Sequence, residues 1–193
     1  ECNHYFSLNI NNTDMKKIAT TILGICLSIA MFGQTKSEVK KMPNAQSPVN
    51  EETKQITYSR TFQSEFADSI LYKRAVHWYM TENKSMRIQN ENCVANQKIS
   101  GRGECDLMGM KDGNEQHKEG RLKFTVNTVI KDGKVTVEIT RFNIQDAKFN
   151  PVEPWIKLQE TDLKYKYYLI FMEEYANSFL DTFVASVNIK KAK

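Results

Sequence analysis

Hydrophobic and polar residues alternate with a period of two in several parts of the chain, the pattern of a strand with one buried face. The segment Gln55–Gln63 shows it first, and Arg121–Ile130 and Lys134–Ile144 show it most clearly. Between the last two stands Asp132-Gly133, a pair that adopts the positive φ angles of a two-residue hairpin turn. These two segments are therefore predicted to form an antiparallel hairpin.

A second hairpin is predicted from Met86–Asn90 and Lys98–Asp106. Two glycines in its second strand, Gly101 and Gly103, indicate a bulge or the close approach of another part of the backbone. The next segment, Met108–Glu119, is polar and contains glycine, and it is predicted to be a long exposed loop.

Two segments have the 3.6-residue periodicity of amphipathic helices. The first begins between Ser64 and Ser69, ends near Asn83 and carries Trp78 on its apolar stripe. Its N-cap is predicted to be Asp68 or Ser69, whose short side chains can accept hydrogen bonds from free backbone N–H groups. The second helix, roughly Asp162–Asn188, has an apolar stripe wide enough to require cover by a sheet.

This order of elements predicts an α+β fold with one antiparallel sheet of about five strands. The helices are expected on one face of the sheet, and a long C-terminal helix completes the fold. Six residues of the central hairpin would then form the polar, mixed-charge face opposite the helices: Lys123, Thr125, Asn127, Thr136, Glu138 and Thr140. The last helix is aromatic nearly all round, so Tyr167 and Phe171 are a candidate partner surface beyond its core stripe.

The N-terminal region has the three parts of a secretory signal: a charged start at Met15-Lys16-Lys17, the apolar run Ile18–Phe32, and small residues near its end. Cleavage is expected after Ala30 or Gly33. The alternative is an N-terminal anchor, although the run is shorter than the ~20 residues that span a bilayer comfortably. Export to the periplasm or cell envelope is the expected localisation.

The chain divides into five parts on these grounds. Residues 1–14 are predicted to be an upstream extension, since they precede the first Met, and residues 15–33 the signal peptide. Residues 34–52 are polar and are predicted to be a flexible linker. Residues 53–149 form the α+β domain, and residues 150–193 a connector and the C-terminal helix packed on it.

Charge and cysteine content exclude some functions. The 193 residues include 27 basic and 23 acidic side chains, a net charge of +4, and the basic residues are scattered along the chain. A nucleic-acid-binding protein would cluster them on one face, so no nucleic acid partner is expected. Cys93 and Cys105 are the cysteines that remain after cleavage; they either form a disulfide or stay as two thiols.

Several short motifs resemble a known family: Leu71-Tyr72-Lys73-Arg74-Ala75 followed by Trp78, Lys98-Ile99-Ser100-Gly101-Arg102-Gly103, Leu122-Lys123-Phe124, Lys131-Asp132-Gly133-Lys134 and Val137-Glu138-Ile139-Thr140. Their order resembles the DUF4468 family, exported proteins of Bacteroidota with a TBP-like fold. The resemblance covers about Gln55–Gln145, and Ser100 stands where the family has an aliphatic residue. It implies a TBP-like fold and an exported location, and no activity.

The sequence contains no recognisable catalytic or cofactor motif. His77 and His117 are interpreted as surface histidines, and neither Cys93 nor Cys105 stands in a motif that activates a thiol. No phosphate loop, zinc spacing or EF-type loop is present, so no cofactor and no metal are expected.

The principal hypothesis is therefore an exported, non-catalytic module that binds an envelope protein, peptide or glycan through its open sheet face or its C-terminal helix. Contact with the membrane is expected only transiently, through the signal peptide. The alternative is an envelope enzyme whose site is assembled around Met108–Glu119.

Overall fold

The structure, a computed structural model, describes residue 41 and residues 43–83, 85–111, 115–145 and 149–189. The predicted upstream extension and signal peptide lie outside the described residues. Within the described ranges, no helix combines the length and the apolar character needed to cross a bilayer.

The described residues form one antiparallel sheet with helices on one of its faces. The strands are β1 (Tyr58–Gln63), β2 (Met86–Ile88), β3 (Lys98–Lys111), β4 (Glu115–Lys131), β5 (Lys134–Gln145) and β6 (Phe149–Pro151). Their order in the sheet is β1-β5-β4-β3-β2, and β6 pairs with the end of β5 beyond β1. The helices are α1 (Asp68–His77), which continues as a π-helical turn Trp78–Glu82, then α2 (Trp155–Leu158) and α3 (Leu163–Val187).

The predicted hairpin at Asp132-Gly133 is confirmed. Asp132 has φ 53° and Gly133 has φ 74°, the positive pair that a type I′ turn requires. Lys131 and Lys134 face each other directly across this turn, and the register continues along β4 and β5.

The prediction of a long loop at Met108–Glu119 is wrong. The structure continues β3 to Lys111 and begins β4 at Glu115, so the segment is the distal part of a long hairpin. The error arose because the residues here are mostly polar, and a two-stranded ribbon needs only backbone pairing and cross-strand contacts. Such contacts join Lys118 to Asp106 at 2.7 Å and Arg121 to Glu104 at 2.8 Å.

One face of the sheet is apolar and packs against the helices. Its strand residues alternate along β1, β3, β4 and β5, and several are fully buried: Ile99, Leu107, Leu122, Phe124, Val126, Ile130, Val135, Val137 and Ile139. A bulge at Arg141, with φ 57°, shifts the register of β5 against β4. The bulge changes the alternation, so that Phe142 also points into the core and contacts Tyr58 and Phe124.

The glycines of β3 are explained by close approach, as predicted, although the approaching groups are mostly side chains. A Cβ at Gly103 would lie 2.3 Å from the Phe124 ring and 2.7 Å from the Met86 sulfur. A Cβ at Gly101 would lie 2.8 Å from Met86 Cε and 3.1 Å from the carbonyl oxygen of Arg87. The glycines therefore leave the space that these core side chains fill.

The N-cap prediction for α1 is wrong in detail. Ala67 occupies the N-cap position and makes no side-chain cap. The Asp68 carboxylate instead accepts hydrogen bonds from the backbone N–H groups of Asp132, at 3.1 Å, and Gly133, at 2.8 Å. Asp68 thus ties the start of α1 to the β4–β5 turn, a partner 64 residues away that local sequence does not reveal.

Helix α3 begins as predicted, with Asp162 as N-cap accepting a hydrogen bond from Lys164 N at 2.8 Å. It packs on α1 through Trp78, which is 4 % exposed and makes edge-on contacts with the rings of Phe179 and Phe183. The predicted burial of Trp78 is confirmed.

Part of the segment expected to be a linker contacts the fold. The Ala45 N–H donates to Gln159 Oε1 at 3.1 Å, and the Gln46 N–H donates to Glu173 Oε2 at 2.9 Å. The Tyr58 hydroxyl donates to the Gln46 carbonyl at 3.2 Å. Ordered contacts with α2, α3 and β1 thus begin some residues before the predicted boundary at residue 53.

Candidate functional site

The sheet face opposite the helices is the first candidate. We call it the open face, because α1, α2 and α3 all lie on the other side of the sheet and the described residues place no helix over it. The six residues predicted for it share the face, as their cross-strand register requires. It also includes residues from β1, β2 and β3: Thr57, Ser59, Thr61, Arg87, Lys98, Ser100, Arg102, Glu104 and Asp106.

The open face carries an excess of positive charge. Strand register in the described residues places eight basic side chains on it: Arg87, Lys98, Arg102, Lys118, Arg121, Lys123, Lys131 and Lys134. It places three acidic side chains there: Glu104, Asp106 and Glu138. The excess at these register positions is +5, compared with a net charge of +4 for the whole chain. Sequence reasoning missed this asymmetry because the basic residues are far apart in the chain and meet only through strand pairing.

Two pairs of basic residues on this face have like charges directly opposite each other. Arg87 and Arg102 are register partners of β2 and β3, and Lys131 and Lys134 are register partners of β4 and β5. All four side chains are exposed. Like charges in facing positions of an antiparallel sheet repel each other and destabilise the pairing.

The acidic residues of the open face lie mainly at its other end. Glu104 and Asp106 form ion pairs with Arg121 and Lys118 where β3 and β4 leave the sheet. The two basic pairs make no ion pair in the part of the chain that the structure describes. The Arg102 guanidinium instead lies 3.0 Å from the Gln89 amide, whose oxygen is the group that fits there as acceptor.

Beside and between the basic pairs, the open face carries hydroxyl and amide groups. The hydroxyls of Thr61 and Thr136 are 3.0 Å apart across β1 and β5, and those of Thr57 and Thr140 are 2.9 Å apart. Further along the sheet, the Ser100 hydroxyl donates to Asn127 Oδ1 at 3.0 Å. Each hydroxyl is both a donor and an acceptor. Ser100 and Thr140 are buried, whereas Thr61 is exposed and keeps capacity for a ligand.

A second candidate is a group of titratable side chains where the ribbon meets α3. His117 Nε2 lies 2.9 Å from Glu119 Oε1, and Lys164 Nζ lies 3.5 Å from Glu119 Oε2. Burial acts to raise the pKa of Glu119, but Lys164, a hydrogen bond from Tyr168 and His117 outweigh it and the pKa is lowered. Burial and the nearby Glu119 carboxylate raise the pKa of Tyr168. A carboxylate held ionised by three donors stabilises the ribbon on the helix and is poorly suited to exchange a proton.

The described residues also enclose a cavity of about 310 Å³ between the segment 43–45 and α3. Glu173 and Glu174 line it together with Ile170 and Asn177. Burial, and secondarily the charge of Glu173, raises the pKa of Glu174. The cavity is acidic on one wall and lies on the helix side of the molecule, away from the open face.

The remaining predicted chemistry is dispersed. His77 is exposed on α1, as predicted, while His117 belongs to the ribbon cluster.

Cys93 and Cys105 are not joined by a disulfide. The Cys93 thiol lies 3.3 Å from the Gln89 carbonyl, whereas Cys105 faces the helices and hydrogen-bonds with Tyr175. Burial raises the pKa of Cys105 to about 12, which disfavours the thiolate that a nucleophile needs. Within the described ranges, no group of His, Cys, Asp and Glu side chains has the arrangement of a metal site.

The exposure expected at Tyr167 is wrong. Its side chain is 1 % exposed, and Phe171 is half-buried and stacks on Tyr175 at a centroid distance of 6.4 Å. Tyr167 was assigned to the surface because the apolar stripe of α3 is wider than a single sheet contact needs. Side chains on several sides of α3 are buried, so the wide apolar stripe of this helix reflects packing within the fold. Use of this helix side by a partner stays a prediction.

The fold and the open face can be compared with known proteins. A family model, described as a domain of unknown function (DUF4468) with TBP-like fold, matches residues 58–145. This part of the chain is similar to the DUF4468 family. The match lies within the region of resemblance, Gln55–Gln145, and contains the five strands that carry the open face.

The chain is also similar to solved structures. A DUF4468 family protein from Bacteroides ovatus is 15 % identical with a TM-score of 0.57, over 78 % of this chain and 96 % of that chain. A TBP-like protein from Parabacteroides distasonis is also 15 % identical, with a TM-score of 0.49, over 75 % of this chain and 99 % of that chain. At this identity the first likeness shows a shared fold only. The comparison with curated proteins found no match.

Proposed function

We propose that the protein is an exported, non-catalytic binding module of the periplasm or cell envelope, and that the open face is its binding surface. The observation that carries the proposal is the pair of like-charged contacts on that face, Arg87 with Arg102 and Lys131 with Lys134. These contacts oppose strand pairing, and local rules of sheet design are most often broken at functional sites.

Export is part of the proposal. The run from Met15 to Gly33 combines basic, apolar and small-residue regions in the order of a secretory signal. An envelope protein, a peptide or a glycan is then the partner within reach.

An envelope enzyme with its site near residues 108–119 has less support. That segment is a β-ribbon, and the cluster on it holds the Glu119 carboxylate in three interactions that keep it ionised. General acid–base catalysis instead needs a group whose pKa lies near the working pH.

Site-specific photo-cross-linking in cells tests the proposal. Val129 is 47 % exposed on the open face between the two basic pairs, and it can be replaced by a photoreactive amino acid. The matched control carries the same amino acid at Lys157, an exposed position of α2 on the helix side. We expect defined adducts in the envelope fraction from position 129 and none from position 157. Adducts from position 157 alone, or no adduct from position 129, would place the binding surface elsewhere or remove it.

A further inference from the structure

The charges of the open face identify a class of ligand, an inference that rests on the proposed function. We infer that the open face binds an acidic polysaccharide, a glycan chain carrying carboxylate or sulfate groups. The Arg87–Arg102 pair and the Lys131–Lys134 pair are the two anchoring points, and the hydroxyl and amide rows between them contact the sugar hydroxyls.

The distance between the two basic pairs requires an extended ligand. Arg102 lies opposite Thr125 on β4, and Lys131 follows six residues later on the same strand. At about 3.3 Å per residue the two points are roughly 20 Å apart along the sheet. A single small anion neutralises one pair at most, whereas a charged polymer reaches both.

The groups between the anchors suit a sugar chain. The Thr61–Thr136 hydroxyl pair, in which Thr61 is exposed, and the half-buried Asn127 offer both donors and acceptors, in a part of the face where Glu138 is the single acidic side chain among the described residues. A polymeric anion without hydroxyl groups would offer these threonine and asparagine side chains no new hydrogen-bond partners.

Other polyanions fit the open face less well. A membrane surface is bound by apolar side chains inserted beside basic ones, but Val129 is the one large apolar side chain of the strands that this face exposes among the described residues. Single-stranded nucleic acid is bound through aromatic rings that stack on bases. The described residues of β1 to β5 on the open face include no aromatic ring.

The like-charge pairs allow a test in which binding and stability change in opposite directions. In the Arg102→Glu variant the introduced carboxylate faces Arg87, and in Lys134→Glu it faces Lys131, so each variant replaces a repulsion by an attraction. Lys157→Glu makes the same change of charge on α2 and is the matched control. We expect the double variant Arg102→Glu/Lys134→Glu to keep or raise the thermal midpoint while its binding is lost.

The probe is dextran sulfate, measured by affinity electrophoresis and calorimetry with the purified protein, with uncharged dextran of the same length for comparison. We expect wild-type binding that weakens steeply with salt, at least about tenfold weaker binding by the double variant, and less than a twofold change in Lys157→Glu. Equal binding by wild type and the double variant would overturn the inference, as would equal binding of charged and uncharged dextran.

Two further probes separate the ligand classes. Duplex DNA and phosphatidylglycerol vesicles are expected to bind more weakly than dextran sulfate at the same salt concentration, and tighter binding of either would show that the class is wrong. If dextran sulfate fails while position 129 still forms cross-links in cells, the binding module stands and its ligand is of another chemistry. If both fail, the open face is not a binding surface.

Discussion

At the scale of single residues, Gly103 has a tight packing constraint in the core, because the Phe124 ring and the Met86 sulfur occupy the space beside its Cα. Gly120, on the neighbouring strand, differs: its nearest neighbour to an added Cβ is Ile144 Cγ2 at 3.5 Å, an ordinary contact. A side chain therefore has no room at Gly103 but fits at Gly120, and only the packing around each glycine shows this difference.

Gly103→Ala is expected to destabilise the protein by about 1–3 kcal/mol, the usual cost of overpacking a well-filled core. Gly120→Ala is the control and is expected to change the free energy of unfolding by less than about 0.5 kcal/mol. Urea denaturation of both variants measures the difference. Equal midpoints would mean that Phe124 and Met86 do not pack over β3.

Glu119 predicts a dependence of stability on pH. Because its folded-state pKa is lowered below the ordinary value of 4.5, its contribution is present above that value and is lost as the pH falls through the folded pKa. Glu119→Gln should therefore lower the thermal midpoint at neutral pH, and the gap to wild type should close in acid. The control is Glu160→Gln, a change at an exposed position. If the difference in thermal midpoint between wild type and Glu119→Gln instead widened in acid, the pKa of Glu119 would not be lowered in the folded protein.

At the scale of elements, α1 is joined to the rest of the fold at both of its ends. Its first residue, Asp68, holds the β4–β5 turn, and Trp78, which follows its last turn, packs against α3. The Tyr79 hydroxyl also lies 2.6 Å from Thr128 Oγ1, a buried contact with the sheet. These contacts position α1 relative to both layers.

Asp68→Ala is expected to cost about 1–2 kcal/mol, since two backbone N–H groups of the turn lose a charged acceptor and one of them is partly buried. Ser69→Ala, one residue further along the helix, is the control and should be nearly neutral. Chemical denaturation compares the two. A larger effect at Ser69 would indicate that Ser69 is the N-cap after all.

Trp78→Ala is expected to cost about 3–5 kcal/mol, the range for truncating a buried aromatic side chain. Its ring lies 4.9 Å from Phe179 and 5.2 Å from Phe183, so its loss leaves a gap between α1 and α3. His77→Ala, at the exposed neighbouring position, should stay within about 0.5 kcal/mol. A loss below ~1 kcal/mol for Trp78→Ala would show that the two helices do not depend on this contact.

At the scale of the whole molecule, the two sides of the sheet have different roles. The helix side contains the core, the acidic cavity and the Glu119 cluster. The open side has the excess of positive charge and the rows of hydroxyl groups. This asymmetry is the physical basis of the proposed binding surface.

Export predicts a processed N-terminus. Mass spectrometry of the protein from the envelope fraction should find the mature chain starting between Met31 and Gln34, as cleavage after Ala30 or Gly33 implies. An intact Met15 or any earlier start in that fraction would mean that the apolar run is retained as an anchor.

The sequence by itself determined the fold class, most strand and helix positions, the Asp132-Gly133 turn, the start of the last helix near Asp162 and the polar open face. These features depend on local periodicity and turn chemistry, which are encoded over a few neighbouring residues. The family motifs added the TBP-like fold, because they mark the same strands and turn.

Tertiary structure decided the features that depend on residues distant in the chain. The partner of Asp68 is 64 residues away, and the burial of Tyr167 depends on what packs around α3. The ribbon at residues 108–119 is mostly polar, so periodicity could not distinguish it from a loop. The basic pairs of the open face arise only when strand register brings Arg87 to Arg102 and aligns β4 with β3. Register is set by the packing of the whole sheet, and for that reason the binding surface became visible only in the folded molecule.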